Sequence, residues 1–232
     1  MQTESPTNSP ASPVSEPPPV LVCFAVEFEA GPFRRLAREI EGIEIYVTGM
    51  GARHARAGIA AALSARRPAA VLTCGFAGGL DPSLRVGDIV VSAPSSYPSF
   101  ARLIELGAKP TVFHCASSVA ATAVEKARLR AETNAAAVEM ESGVIHAECQ
   151  AEGVPCATVR VISDAANEDL PLDFNRFMTA DSRMNYAKLA LSVLASPGKI
   201  RPLLSFQRQT AACANQLGEF LHRALTVPRP AS

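Results

Sequence analysis

Residues 69–93 read AAVLTCGFAGGLDPSLRVGDIVVSA. Two apolar runs of strand length, AAVLTCG and DIVVSA, flank a connection that holds Gly75, Gly78 and Gly79, an Asp81-Pro82 turn and a Gly87-Asp88 turn. Continuous apolar runs without polar alternation suit strands covered on both faces. The density of residues that tolerate positive φ between them signals close approach of the backbone to something else.

Upstream, VLVCFAV (20–26) is another strand of the same kind, followed by a helix from about Phe28 to Glu39 with Pro32 in its first turn, where proline is tolerated. IEIYVT (43–48) is the next strand. It ends in Gly49-Met50-Gly51 and leads into an Ala-rich helix, Ala52 to about Ala65. Downstream, prolines and serines break any period between Ala93 and Pro110. TVFHCA then reads as a strand, Ala121–Glu132 as a helix with charges spaced for an exposed face, and AAAVEM as a short strand. Ser142–Glu152 is a helix, CATVRVIS (156–163) a strand, and Asp173 to Ala224 helical in period with a break near Ser196-Pro197-Gly198. Strands alternating with helices of ~10–15 residues predict one three-layer α/β/α domain around a mostly parallel or mixed sheet. We expect it to span 20–225, after a disordered tail at 1–19 rich in Pro, Ser and Thr and before a flexible end at 226–232.

Composition narrows the partners. The 232 residues carry 22 Lys plus Arg against 22 Asp plus Glu. That balance lacks the basic excess of a nucleic-acid reader and favours a small-molecule ligand. No apolar run approaches the ~18 residues of a membrane span, and the N-terminal stretch lacks the basic and apolar regions of a signal peptide. Six scattered cysteines without a C-x-x-C pair and four histidines without zinc spacing predict reduced thiols, no metal and a cytoplasmic protein.

In open α/β sheets ligands gather at the carboxyl ends of strands. Glu29, Glu139, Glu141 and Asp164 all fall there or in the adjoining loops. Taken singly, each is better explained as a helix N-terminal carboxylate or a cap worth ~0.3–1 kcal/mol. Together they converge on one rim. GMGARH is no dinucleotide fingerprint, because His54 stands at the third glycine position.

Three blocks, GFAGGLDPSLRVGDIVVS (75–92), AVEMES (137–142) and VRVISDAANE (159–168), with VEFEAGPF (26–33) before them, resemble the nucleoside phosphorylase superfamily over about Val20 to Asp173. The likeness is to 5′-methylthioadenosine/S-adenosylhomocysteine nucleosidases in particular. ATAVEKARLRAETNAAAVEMES (121–142) and the helical tail are similar to the hopanoid-associated phosphorylase branch.

The resemblance implies cleavage of a purine nucleoside at its N-glycosidic bond. It makes Asp164 the acid at purine N7, oriented by Ser163, and Glu29 the base that activates water. Glu141 would hold the ribose hydroxyls with Met140 under the sugar and Glu139 adjoining, and Arg160 would steady the carboxylates. Phe76, Ala77 and Gly78 line the glycine-rich side. An acid working near pH 7 must hold its proton some three units above the ordinary aspartate value of ~3.9, and burial with neighbouring carboxylates is the expected means.

Superfamily phosphorylases hold phosphate with arginines and a serine. Here Glu29 stands near the first arginine, Thr73 aligns with the second and Phe76 with the serine, so water is favoured. Phosphorolysis with inorganic phosphate as co-substrate stays open through Arg34, Arg35, Arg53 and His54, although a solvated helix face explains Arg34 and Arg35 better. That alternative includes a hopanoid-linked adenosine, whose apolar 5′ group would lie on Leu189, Leu191, Leu194, Leu203 and Leu204, residues that plain packing also explains. The base wall falls to residues near His114–Val119, none of them an obvious aromatic. A catalytically silent nucleoside-binding protein is the contrasting class. No other cofactor is implied, and a homodimer is expected from the resemblance.

Overall fold

The computed structural model describes residues 17–179, 185, 188 and 197–226. Its strands are β1 (Val20–Phe24), β2 (Ile43–Val47), β3 (Ala70–Gly79), β4 (Ile89–Ser92), β5 (Lys109–Pro110), β6 (Phe113–Cys115), β7 (Ala137–Glu139) and β8 (Cys156–Asp164). The α-helices are α1 (Glu27–Leu36), α2 (Ala52–Ala65), α3 (Phe100–Glu105), α4 (Ala123–Thr133), α5 (Ser142–Ala151) and α6 (Ile200–Leu225). The unreadable stretch between Ala93 and Pro110 holds α3. TVFHCA yields only β6, with β5 just before it. The expected helix over Phe28–Glu39 is α-helical to Leu36 and closes as a 3-10 turn, Ala37–Glu39.

Residue alternation along the central strands builds the layers. Val22 and Phe24 of β1 face a cluster with Phe33 of α1 and Cys213, Leu217 and Leu221 of α6. Leu21 and Cys23, one residue out of phase, face Ala55 and Ile59 of α2 with Ile145 and Cys149 of α5. One continuous apolar strand thus feeds two cores, which is why these runs lack polar alternation. Helices α1 and α6 approach closely because position 218 is glycine: a Cβ there would lie 2.9 Å from the backbone nitrogen of Phe33.

The sheet runs β2-β1-β3-β8-β4-β5, with β7 against the end of β3 and β6 beside β7. Strands β1, β2, β3 and β8 are parallel, whereas β4 runs antiparallel to β8 and β7 antiparallel to β3. The sheet is therefore mixed, within one α/β domain.

The third strand differs from expectation in a way that makes the site. It does not stop at Gly75 but continues through Phe76-Ala77-Gly78-Gly79, with a register shift against β8 between Ala77 and Gly78. On its other edge β1 pairs as far as Cys74 and β7 takes over at Gly78. The interval Gly75–Ala77 has no strand on that edge among the described residues. The glycines are the strand itself, bare so that side chains from elsewhere can reach it.

Pro17 and Pro19 accept hydrogen bonds from Arg66 and from the backbone of Ala69. Residues 1–16 and 227–232, named above as tail and flexible end, lie outside the described residues, as do Leu189, Leu191 and Leu194. Leu203 and Leu204 sit on α6, the latter 47% exposed. No helix among the described residues is long and apolar enough to cross a membrane.

Candidate active site

Glu29 enters through the gap in the sheet. It lies one turn into α1, and its Oε1 accepts the Phe76 N–H at 3.0 Å, a backbone donor that no strand takes. A Cβ on Gly75 would stand 2.9 Å from Glu29 Oε1 and 3.0 Å from Oε2, so only glycine lets the carboxylate settle on the strand. Burial first, then the nearby Glu141 carboxylate, push the Glu29 carboxyl up from 4.5 to about 7.

Arg160 is the register partner of Gly75 on β8 and is 2% exposed. Its Nη2 donates to Glu139 Oε2 at 2.7 Å and to Thr73 Oγ1 at 3.3 Å. Glu139 closes β7 and is saturated. Its Oε2 also accepts the Ser142 N–H at 2.8 Å and the Glu141 N–H at 3.1 Å, and its Oε1 takes the Ser142 hydroxyl at 2.7 Å. Burial alone would raise its pKa, but the Arg160 charge and the hydrogen bonds from Arg160 and Ser142 outweigh it and hold the group at about 2. The carboxylate thereby caps α5 and fixes the guanidinium.

Because the folded value lies below the unfolded 4.5, this interaction stabilises the fold above that pH and is lost as pH falls toward 2. Glu139→Ala leaves a buried unpaired guanidinium. We expect a loss of about 3–5 kcal/mol in urea unfolding at neutral pH, and a loss under about 1 kcal/mol would contradict this account of the pair.

Glu141, at the N-terminus of α5, accepts the Gly51 N–H at 2.8 Å on Oε1. The Gly49-Met50-Gly51 turn, with φ of 95° at Gly49 and 81° at Gly51, therefore holds a carboxylate and carries Met50 to the site. Burial raises the Glu141 carboxyl above its ordinary value, against the opposing charge of Arg160.

Asp164 ends β8. Its Oδ1 accepts from the Ser163 hydroxyl at 2.6 Å, and Gly78 lies against its Oδ2. Its charged neighbour is not a carboxylate, as expected, but the ammonium of Lys126, 2.6 Å from Oδ2. Lys126 also overturns the reading of α4 as carrying only exposed charges: it is 0% exposed. The first turn of α4, closed by a Thr122–Glu125 capping box, points it inward.

Nine of the ten residues singled out in the sequence (Glu29, Phe76, Ala77, Gly78, Glu139, Met140, Glu141, Ser163 and Asp164) line one cavity of ≈ 350 Å³, and Arg160 is joined to it through Glu139. Arg34, Arg35, Arg53 and His54 are not among its lining residues. Arg34 turns to Glu27 with bonds of 2.9 and 3.0 Å, and the His54 side chain packs on Gly49.

The remaining walls were found from sequence only in part. Ser118 and Val119 do come from the expected stretch, and Ala120 from beside it. The aromatic surface is instead Phe28, Phe174 and Phe206, with Met178 and Leu170. Phe28 meets Phe76 edge-on at 6.1 Å, and Phe174 lies 5.8 Å from Phe206. Asn175 locks the two sides together, accepting the Val119 N–H at 2.9 Å and donating to the Val119 carbonyl at 2.8 Å. No cluster of His, Cys, Asp and Glu with the makings of a metal site occurs among the described residues.

The family model described as "Phosphorylase superfamily" matches residues 27–97 and 102–195. A 5′-methylthioadenosine/S-adenosylhomocysteine nucleosidase of Glaesserella parasuis serovar 5 is 30% identical over 169 residues, covering 59% of this chain and 74% of that protein. One from Halalkalibacterium halodurans is 27% identical over 194 residues, covering 68% and 84%. Among solved structures, futalosine hydrolase of Helicobacter pylori superposes with a TM-score of 0.67 at 19% identity, over 89% of this chain and 97% of that one. A Colwellia psychrerythraea nucleosidase in complex with adenine gives 0.65 at 18% identity, over 90% and 95%. At such identities these likenesses speak for the fold.

Proposed function

Since the chain belongs to the phosphorylase superfamily, we propose that it cleaves the N-glycosidic bond of a purine nucleoside with water as nucleophile. One observation carries the choice of nucleophile. Among the described residues, the buried side-chain nitrogens and oxygens that reach no partner are Glu29 Oε2 and the Nε and Nη1 of Arg160. They belong to the two residues that flank Gly75, one packed on it and the other beside it in register. An acceptor and two donors below the cavity floor suit a water molecule, which gives one proton to Glu29 and takes hydrogen bonds from Arg160. Phosphate is disfavoured there, because Glu29 and Glu141 would face its charge and the Phe76 N–H is already engaged.

The other roles are those the resemblance implies, and the lining of one cavity by these side chains supports them. Asp164, held by Ser163, serves the base at N7. Glu141 binds the ribose hydroxyls and Met140 packs under the sugar. Glu139 keeps Arg160 in place, and Phe76, Ala77 and Gly78 shape the floor. The apolar walls Phe28, Met50, Phe174, Met178 and Phe206 favour an apolar 5′ substituent over a phosphate or a free hydroxyl. The relatives named as methylthioadenosine and adenosylhomocysteine nucleosidases point to 5′-thio-substituted adenosines. No cofactor or metal is required. The enzyme works as a homodimer in the cytoplasm, the second copy closing the open side of the pocket where Phe28 is 48% exposed.

The test is base release from methylthioadenosine, adenosylhomocysteine, adenosine and inosine, each with and without phosphate. We expect release indifferent to phosphate and fastest with the 5′-thio nucleosides. Release that requires phosphate would overturn the nucleophile. Tight nucleoside binding without release from any of the four would favour a silent binding protein.

A further inference from the structure

Lys126 is the buried charge that the mechanism above leaves without a task. Its ammonium donates to Asp164 Oδ2 at 2.6 Å and to the backbone oxygens of Ala165 and Glu168, both at 2.8 Å. These three acceptors use all three N–H bonds of an ammonium. A neutral amine in the same place keeps both carbonyl bonds and takes a hydrogen bond from a protonated Asp164 on its lone pair. A proton can therefore cross between Lys126 and Asp164 with every hydrogen bond kept and no side chain displaced.

The geometry is one-sided. Asp164 and Ser163 line the cavity and Lys126 does not, so Lys126 reaches a bound nucleoside only through Asp164. The other charges at this place are occupied elsewhere. The Glu168 carboxylate takes the Ala165 N–H at 3.0 Å and that of Asp169 takes the Ala123 N–H at 2.7 Å. On the α6 side, the Cys213 thiol donates to the Ile162 carbonyl.

Resting on the hydrolytic reading above, we infer that Lys126 is a positioning residue that holds Asp164 and hands it the proton delivered to the leaving base. As the C1′–N9 bond breaks, its electron pair passes into the purine ring. N7 takes a proton from the Asp164 carboxyl, which has taken one from Lys126 Nζ, and Lys126 is left as the amine. The water that attacks C1′ loses its proton to Glu29 and from there to solvent. Lys126 regains a proton through Asp164 once the base has left, so no net proton is consumed.

The test compares two leaving groups. One substrate is the purine nucleoside that the wild type cleaves; the other is the 4-nitrophenyl riboside with the same 5′ substituent, whose phenolate departs without a proton. Lys126→Met is expected to lower kcat/KM for the purine nucleoside by ~10²-fold or more while leaving the aryl riboside within ~3-fold. Lys126→Arg keeps the charge and the donors but does not release a proton near neutrality. It is expected to be slow on the purine as well, and it carries the comparison if the methionine variant fails to fold by thermal melting. Equal losses on both substrates would make Lys126 merely structural and overturn the inference. So would full purine activity in either variant, because the arginine result would reduce Lys126 to a fixed charge. Wild-type protein that cleaves neither substrate would instead sink the hydrolytic reading itself.

Discussion

Replacing Glu29 by glutamine is expected to stop base release and, at about pH 8, to make the folded protein more stable. Both effects come from one feature, a carboxyl placed where charge is costly. Burial and the neighbouring Glu141 put its folded value at about 7 against 4.5 for the ordinary group. The folded state thus binds this proton more tightly than the unfolded chain does. Below the unfolded value the group costs nothing. As pH rises through 4.5 toward 7 the fold loses stability, and above that the loss levels off. A shift of this size corresponds to about 3 kcal/mol, so glutamine, neutral at every pH, is expected to recover roughly 1–3 kcal/mol at alkaline pH and nothing in acid. The activity moves the other way. With an ionised Glu29 as the proposed base, wild-type kcat/KM is expected to rise with pH through about 7, and the variant to lose ~10²–10⁴-fold together with that limb. Melting curves in acid and alkali and a pH–rate profile check both. A variant that is less stable in alkali, or that keeps its activity, would remove Glu29 from the role.

Asp164→Asn is expected to be as damaging to catalysis and opposite in its effect on stability. An asparagine keeps the shape of the site but supplies no proton to N7, so purine release is expected to fall by ~10²–10⁴-fold with nucleoside binding largely kept. It also removes the negative partner of a lysine that has no access to solvent. An uncompensated buried charge costs about 3–5 kcal/mol, and the melting temperature is expected to drop accordingly. Calorimetric binding, release kinetics and thermal melts separate the three effects. Unchanged release would show that the base leaves without help from this carboxyl.

The contrast shows what a sequence displays and what it hides. VLVCFAV, the 69–93 stretch and CATVRVIS were readable as strands buried on both faces because their apolar character is local. Glu29, Glu141 and Asp164 stood out because each follows a strand whose end could be seen. What escaped depends on contacts between distant segments. Lys126 sits among arginines and glutamates in a helix that looks solvated, and only its bonds to Asp164, Ala165 and Glu168, some forty residues on, show that it turns inward. The glycine-rich stretch reads as a loop, because glycine weakens strands. Its strand character comes from β8 on one edge and β7 on the other. Phe174 and Phe206 lie in a tail whose helical period says nothing about a cavity built largely from earlier segments; the Asn175 bonds to Val119 bring Phe174 there.

The most direct test of the whole account is the identity of the sugar that the wild-type enzyme releases from methylthioadenosine in phosphate buffer, read by mass spectrometry. The free 5-methylthioribose is the predicted product, since on the proposed reading the unpartnered Glu29 Oε2 and Arg160 nitrogens take the attacking water. The corresponding sugar 1-phosphate would contradict it, and would mean that the unpartnered nitrogens of Arg160 receive phosphate despite the carboxylates beside them.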